Sequence, residues 1–190
     1  MDKKLEVQPL PGSPSWWGSR PDRNESVAKR GRPALSFDKI IATALETIDV
    51  VGIQEFSMRM LADRLGSGTA TLYRHVASKD EILAYVVDSV LGECKPEAVF
   101  PGDDISWKSV CVMAGETLYQ ILSKHPEIIP VLVSQVPLGP NALKLRERAI
   151  TNFLIYGVSL EVATRAYVTI AHYVIGFSIQ ELTGTDQGGD

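Results

Sequence analysis

The sequence predicts an all-α protein, in which a short N-terminal three-helix unit precedes a larger set of helices. Apolar residues recur at steps of three and four along most segments after residue 36, which is the period of a half-buried helix. Serines precede several of these patterns, and glycine or proline follows them, as at helix boundaries. No segment alternates apolar and polar residues in the manner of a strand, and no internal repeat is found.

The composition is that of an ordinary soluble globular protein, with 45% hydrophobic and 22% charged residues among 190. The sequence has no run of about 18 apolar residues that could cross a bilayer, and the N-terminus lacks the apolar stretch of an export signal. We therefore expect a cytoplasmic protein with no membrane partner. The net charge is -4, yet residues 29–79 hold eight Lys and Arg against five Asp and Glu, so one stretch is locally basic.

Metal-dependent and disulfide-dependent functions are not expected. The two cysteines, Cys94 and Cys111, lie in apolar helical patterns and fit core thiols of a reducing compartment. The three histidines lie far apart, with no carboxylate or cysteine at metal-ligand spacing. The sequence also offers no nucleophile beside a base, no paired carboxylates and no phosphate-binding glycine loop. We predict no metal, no cofactor and no enzymatic activity.

Residues 1–28 are predicted to be a disordered tail, because they hold four prolines, several Ser and Gly, and no periodic apolar pattern. The two tryptophans of this tail are expected to be exposed; the alternative is that they dock on another part of the protein. A short basic arm follows, containing Lys29, Arg30 and Arg32, which could reach phosphates or a minor groove. The alternative is that this arm is only a charged tail.

Four helices are predicted in the N-terminal half of the chain. The first carries one apolar stripe, with Ser36 at its N-cap and Gly52 at its end. The fourth opens on a capping box, in which the Ser78 hydroxyl and the Glu81 carboxylate can each satisfy a backbone N–H.

The second and third helices have the arrangement of a helix-turn-helix. The second begins after Ser57 and stops at Gly66, and a glycine-bounded turn joins it to the third helix at Thr69–His75. In a helix-turn-helix the last short helix lies in the major groove while the preceding one braces it. Only Leu72 of the third helix is clearly needed in the core, so hydroxyls, a ring and a cation project outward. This arrangement predicts a DNA-binding unit over residues 29–83.

Four further helices are predicted in the C-terminal half. Ser106 caps the first of them, and the others are expected at about Ile129–Gln135, Asn141–Tyr156 and Leu160–Leu182. The last helix is expected to bury Val162, Ala166, Tyr167, Ile170, Val174 and Phe177. Loops are expected at Pro101–Asp104, as a domain joint, and at Gly184–Asp190.

Three runs in this sequence resemble the TetR family of transcriptional repressors. They are SMRMLADRLG at 57–66, TLYRHV at 71–76 and KDEIL at 79–83. The resemblance is strong over about residues 36–91 and continues more weakly to about residue 182, where the helices are similar to the tetracycline-repressor type of C-terminal domain. It implies that residues 84–190 form a helical regulatory and dimerisation domain.

The resemblance also assigns DNA contacts by position. Arg59 matches a second-helix residue that reads a guanine, and His75 and Lys79 match phosphate contacts. The recognition-helix surface matches Thr69, Ala70, Thr71, Tyr73 and Arg74. Three alternatives stay open: Tyr73 can pack against the first helix, Asp63 can pair with Arg59, and His75 can be a partly buried histidine with an internal partner.

A small-molecule ligand and a homodimer are further implications of the resemblance. The predicted pocket residues are Lys95, Ala114, Leu118, Leu132, Gln135, Phe153 and Tyr167. The first four replace the drug-contacting residues of the tetracycline repressors, so a metal-chelated tetracycline is not expected. Family members usually continue past the last predicted helix, so we expect a clipped or unusually short chain. We predict a repressor released from a palindromic operator by a ligand; the alternative is a helical protein-interaction module without DNA binding.

Overall fold

The structure is a computed structural model that describes residues 9–20, 35–95 and 106–185, with side chains to residue 181. These residues form α-helices and one 3₁₀ helix, with no strand among them, so the all-α prediction is confirmed. The helices are α1 (Pro14–Gly18), α2 (Phe37–Val51), α3 (Met58–Arg64), α4 (Thr69–Leu72), α5 (Lys79–Glu93), α6 (Trp107–Lys124), the 3₁₀ helix (Pro126–Ile128), α7 (Ile129–Ser134), α8 (Pro140–Leu154) and α9 (Leu160–Thr185). The predicted basic arm (Lys29, Arg30, Arg32) and the predicted joint at Pro101–Asp104 lie outside the described residues.

The four predicted serine N-caps are present. Each accepts the backbone N–H three residues ahead, at 3.2 Å for Ser36, 3.3 Å for Ser57, 3.1 Å for Ser78 and 3.2 Å for Ser106. The Glu81 carboxylate also reaches back and accepts the Ala77 N–H at 2.7 Å, so the predicted capping box is present with its second bond one residue earlier than usual.

Helix α5 lies at the centre of the molecule. It packs against α2 on one side and α8 on the other. One hydrophobic cluster runs from α2 through α5 to α9 and includes the fully buried Ile48, Ile82 and Leu122. The helix-turn-helix unit (α2–α4) therefore shares a core with the C-terminal helices. Because the core is closely packed, a shift of α5 would alter its packing against both α2 and α8.

The prediction of disorder is wrong for residues 9–20, which we call the N-terminal strap. Ser13 caps the short helix α1, and Trp16 is 4% exposed. The Trp16 ring packs edge-on against Tyr85 of α5 with centroids 5.2 Å apart. The Arg20 guanidinium lies 3.0 Å from the buried Glu81 carboxylate. Composition could not reveal this order, because the stabilising partners lie on a helix distant in sequence.

Helix α9 departs from the prediction in two ways. It extends to Thr185, so the expected terminal loop does not begin at Gly184. Val162 and Phe177 were expected in the core but are 52% and 42% exposed. The reason is that α9 carries apolar residues on more than one face, and the contacts with α6, α7 and α8 leave part of it uncovered. No described helix combines the length and the apolar character that a bilayer crossing requires.

Candidate nucleic-acid interface and cavity

The turn between α3 and α4 depends on a glycine. Gly66 has φ of 61°, in the left-handed region that side chains with a Cβ disfavour. The next residue, Ser67, donates its N–H to the Ala62 carbonyl at 3.0 Å, which closes the end of α3. The chain then turns sharply into α4, and this places the two short helices in contact.

Helix α4 is anchored by two side chains and presents the rest outward. Leu72 is fully buried and Val76 is 2% exposed. The α-helix proper ends at Leu72, and residues 73–75 continue as a turn, so it is shorter than the predicted Thr69–His75. Thr69, Ala70, Tyr73 and Arg74 are exposed, whereas Thr71 and His75 are half-buried. Tyr73 is 52% exposed, so about half of its side chain is available on the surface.

Arg59 is also exposed, on α3. Among the described residues no ion pair within 4.0 Å links it to Asp63, so the alternative pairing on the helix surface is not formed. Arg59 and Arg74 supply exposed positive charge on the two helices of the motif. Such side chains can bind base edges or phosphates.

Lys79 takes a role that the sequence did not indicate. Its ammonium group donates to the Ile53 carbonyl at 2.9 Å and to the Phe56 carbonyl at 2.7 Å. It also lies 5.6 Å from the centre of the Phe56 ring. The ammonium therefore ties the start of α5 to the turn between α2 and α3, which occupies the group that was predicted to contact a phosphate.

Polar contacts join the helix-turn-helix unit to the end of α6 and the 3₁₀ helix. The buried His125 has Nδ1 2.8 Å from the Asp49 carboxylate of α2 and Nε2 3.6 Å from Glu93 of α5. Glu127 accepts the Ile53 N–H at 3.1 Å. These contacts could not be predicted from the sequence, because the partners are distant along the chain.

Asp88 fastens the N-terminus of α8 to α5. Its buried carboxylate accepts the N–H of Asn141 at 3.1 Å and that of Ala142 at 3.0 Å, near the positive end of the α8 dipole. Loss of solvent raises the pKa of Asp88 above its usual range, and the two backbone N–H donors offset part of that rise.

A cavity of about 570 Å³ lies among α5, α6, α7, α8 and α9. Its wall includes six of the seven predicted pocket residues: Ala114, Leu118, Leu132, Gln135, Phe153 and Tyr167. Helix α5 ends at Glu93, and the next residue, Cys94, lines the cavity, whereas Lys95 is exposed and is not part of the wall. Burial raises the pKa of the Cys94 thiol to about 11.

The wall also contains polar residues outside the predicted set, and two of them, Arg146 and His172, are basic. A signal for Arg146 was present, because it follows the buried Ala142 by four residues and precedes the buried Ala149 by three. It thus interrupts the apolar stripe of α8 with a charge, which is uncommon without a function or a partner.

Comparisons with known proteins match the chain along most of its length. The family model described as bacterial regulatory proteins, tetR family, matches residues 40–86. The family model described as tetracyclin repressor-like, C-terminal domain, matches residues 100–190. The first match contains the helix-turn-helix motif, and the second contains α6–α9.

Individual relatives are similar over both parts. An HTH-type transcriptional regulator of Saccharopolyspora erythraea is 31% identical, over 93% of this chain and 72% of that protein. The HTH-type transcriptional repressor DrrR1 of Streptomyces coeruleorubidus is 32% identical, over 87% of this chain and 58% of its own length. The crystal structure of apo ActR from Streptomyces coelicolor has a TM-score of 0.71 at 31% identity, covering 80% of this chain and 71% of that one. ActR has also been solved in complex with actinorhodin.

Proposed function

We propose, from the premise that this chain belongs to the TetR family of helix-turn-helix transcriptional regulators, that it represses transcription as a homodimer on a near-palindromic operator and is released by a small molecule. The observation that carries the proposal is the outward polar side of α4 and of the turn that follows it. Thr69, Tyr73 and Arg74 are exposed there while Leu72 holds the helix to the core. This side can face the edges of bases in a major groove.

A homodimer is supported by apolar side chains that the described part of the chain leaves uncovered on α8 and α9. They are Leu143, Leu154, Leu160, Val162, Val168, Tyr173 and Phe177, each at least 40% exposed. Contiguous exposed apolar surface marks interaction sites, and a two-fold interface uses the same surface on both copies. Two joined helix-turn-helix units would then read half-sites roughly one helical turn apart, or a multiple of it.

Release by a ligand is supported by the position of α5 between the cavity and the helix-turn-helix unit. Leu91 and Cys94, at its C-terminal end, line the cavity. Lys79, at its N-terminal end, holds the turn before α3. The helix has 15 residues, about 22 Å at 1.5 Å per residue. A ligand that displaces one end would shift the other, and with it the spacing of the two reading helices. The actinorhodin complex of ActR shows that this relative binds a small molecule.

Selection of bound duplexes from a random pool tests the proposal. We expect two inverted half-sites at constant spacing, and affinity that falls steeply with salt, with a slope of roughly -0.9 per phosphate contacted. Arg59→Ala should cost about 1–3 kcal/mol and relax one operator position. Asp63→Ala on the same helix serves as the matched control and should keep the selectivity. Recovery of no enriched duplex would support a protein-interaction module instead.

A further inference from the structure

We propose that the cavity binds an organic acid, with its apolar body in the interior and its carboxylate paired with Arg146. This inference rests on the proposed ligand response and names the chemical class of the ligand. It starts from the charge of the cavity wall. Arg146 is the one arginine or lysine among the described wall residues, and none of those residues is Asp or Glu.

The surroundings of Arg146 are unusual for a charged side chain that borders a hydrophobic core. It is half-buried, and its guanidinium lies 5.9 Å from the centre of the Tyr167 ring. Within the part of the chain that the structure describes, no carboxylate lies within 4.0 Å of it. Arginine stays protonated in proteins, and a desolvated charge without a counter-ion is costly. An anionic ligand would supply that counter-ion, and a cationic ligand would be repelled.

A carboxylate suits this position because the guanidinium group binds it through two parallel N–H···O bonds. The size and lining of the cavity decide what the rest of the ligand is. A volume of about 570 Å³ lies within the range of roughly 300–1,000 Å³ of pockets for drug-sized molecules. An inorganic anion would leave Leu118, Phe153 and Ile170 of the wall facing water, so the favoured anion carries a large apolar body.

Fluorescence titration of the full chain, without DNA, tests this with two probes of the same shape. They are pyrene-1-butyrate, which is an anion, and pyrene-1-butyramide, which is neutral. We expect the acid to bind at least about tenfold more tightly, as a charge-assisted pair implies. Arg146→Gln should remove this preference by weakening the acid alone. Arg148→Gln, an exposed arginine on the same helix, is the matched control and should keep the preference.

Several outcomes would overturn the inference. Equal binding of acid and amide by the unaltered protein would do so, and so would failure of both probes to bind. Equal weakening of both probes by Arg146→Gln would mean that Arg146 only shapes the cavity. If that variant does not fold, the acid-to-amide ratio of the unaltered protein still decides. If the protein prefers the acid but does not bind an operator, the proposed function is contradicted and this inference stands. If it binds an operator but binds the acid and the amide equally well, only the inference of an acidic ligand is contradicted.

Discussion

Replacement of Trp16 by alanine removes the side chain that fastens the N-terminal strap to α5. The Trp16 ring is 4% exposed and meets Trp17 and Tyr85 with centroids 4.8 and 5.2 Å apart. The Arg20 guanidinium lies 4.5 Å from the centre of the same ring, beside its ion pair with Glu81. The substitution therefore removes apolar burial and loosens the contact of Arg20 in one step.

The magnitude follows from the area that this ring buries. A tryptophan covers about 150–250 Å², which at about 25 cal/mol per Å² corresponds to about 4–6 kcal/mol. The denatured chain already covers part of this area, so the net loss is smaller. The N-terminal strap can also detach from α5 in the variant. The loss of stability therefore cannot exceed the free energy with which the strap binds to α5. We expect the free energy of unfolding to fall by about 2–4 kcal/mol, near the lower end of the range for aromatic core residues.

Urea denaturation followed by circular dichroism measures this loss. The protein concentration must be held constant, because the stability of a dimer depends on it. Leu10→Ala is the matched control within the strap, since Leu10 is 78% exposed and its loss should stay within about 0.5 kcal/mol. A Trp16→Ala loss no larger than that of the control would refute the packing described here. So would strictly additive effects of Trp16→Ala and Tyr85→Leu, because two rings in contact should couple by about 0.5–1.5 kcal/mol.

Three further predictions concern α5. Lys79→Met should lower the free energy of unfolding by about 1–3 kcal/mol, because the carbonyls of residues 53 and 56 lose their donor. The salt dependence of DNA binding should keep the same slope. A slope smaller by about one would instead assign a phosphate contact to Lys79. Burial raises the pKa of Asp88, so the folded protein holds this proton more tightly than the unfolded chain does. Stability relative to Asp88→Asn should therefore fall as pH rises from about 4, and urea midpoints that stay parallel across pH 4–8 would contradict this. The pKa of Cys94 is raised to about 11, so iodoacetamide should label it at pH 8 on the order of 100-fold more slowly than an unperturbed thiol; labelling at an ordinary rate would contradict its burial.

The N-terminal half shows which features can be predicted from residues that are close together in the sequence. Ser57, Gly66 and the apolar residues around Leu72 predicted two short helices and the turn between them, and these are where they were expected. Caps, positive-φ turns and helical periodicity involve residues a few positions apart, so the sequence itself contains both partners of each interaction. The same reasoning predicted which side of α4 faces outward.

Contacts between distant segments could not be predicted in this way. Trp16 has the composition of a disordered tail around it, but its ring packs on Tyr85, which lies far away in the sequence. Lys79 fits a phosphate contact by position, but the carbonyls that it binds belong to the turn before α3. Arg146 interrupts the apolar stripe of α8 in the sequence, but only the tertiary structure shows that the described wall residues around it include no carboxylate.

By itself, the sequence determined the helical class, the serine caps that begin four of the helices and the helix-turn-helix motif, since each depends on interactions within a few residues. The tertiary structure alone decided that the strap is docked, that the Lys79 ammonium faces inward, and that one arginine enters an apolar cavity. The physical reason is that burial and charge pairing depend on every segment that reaches a site. Those segments meet only when the chain is folded.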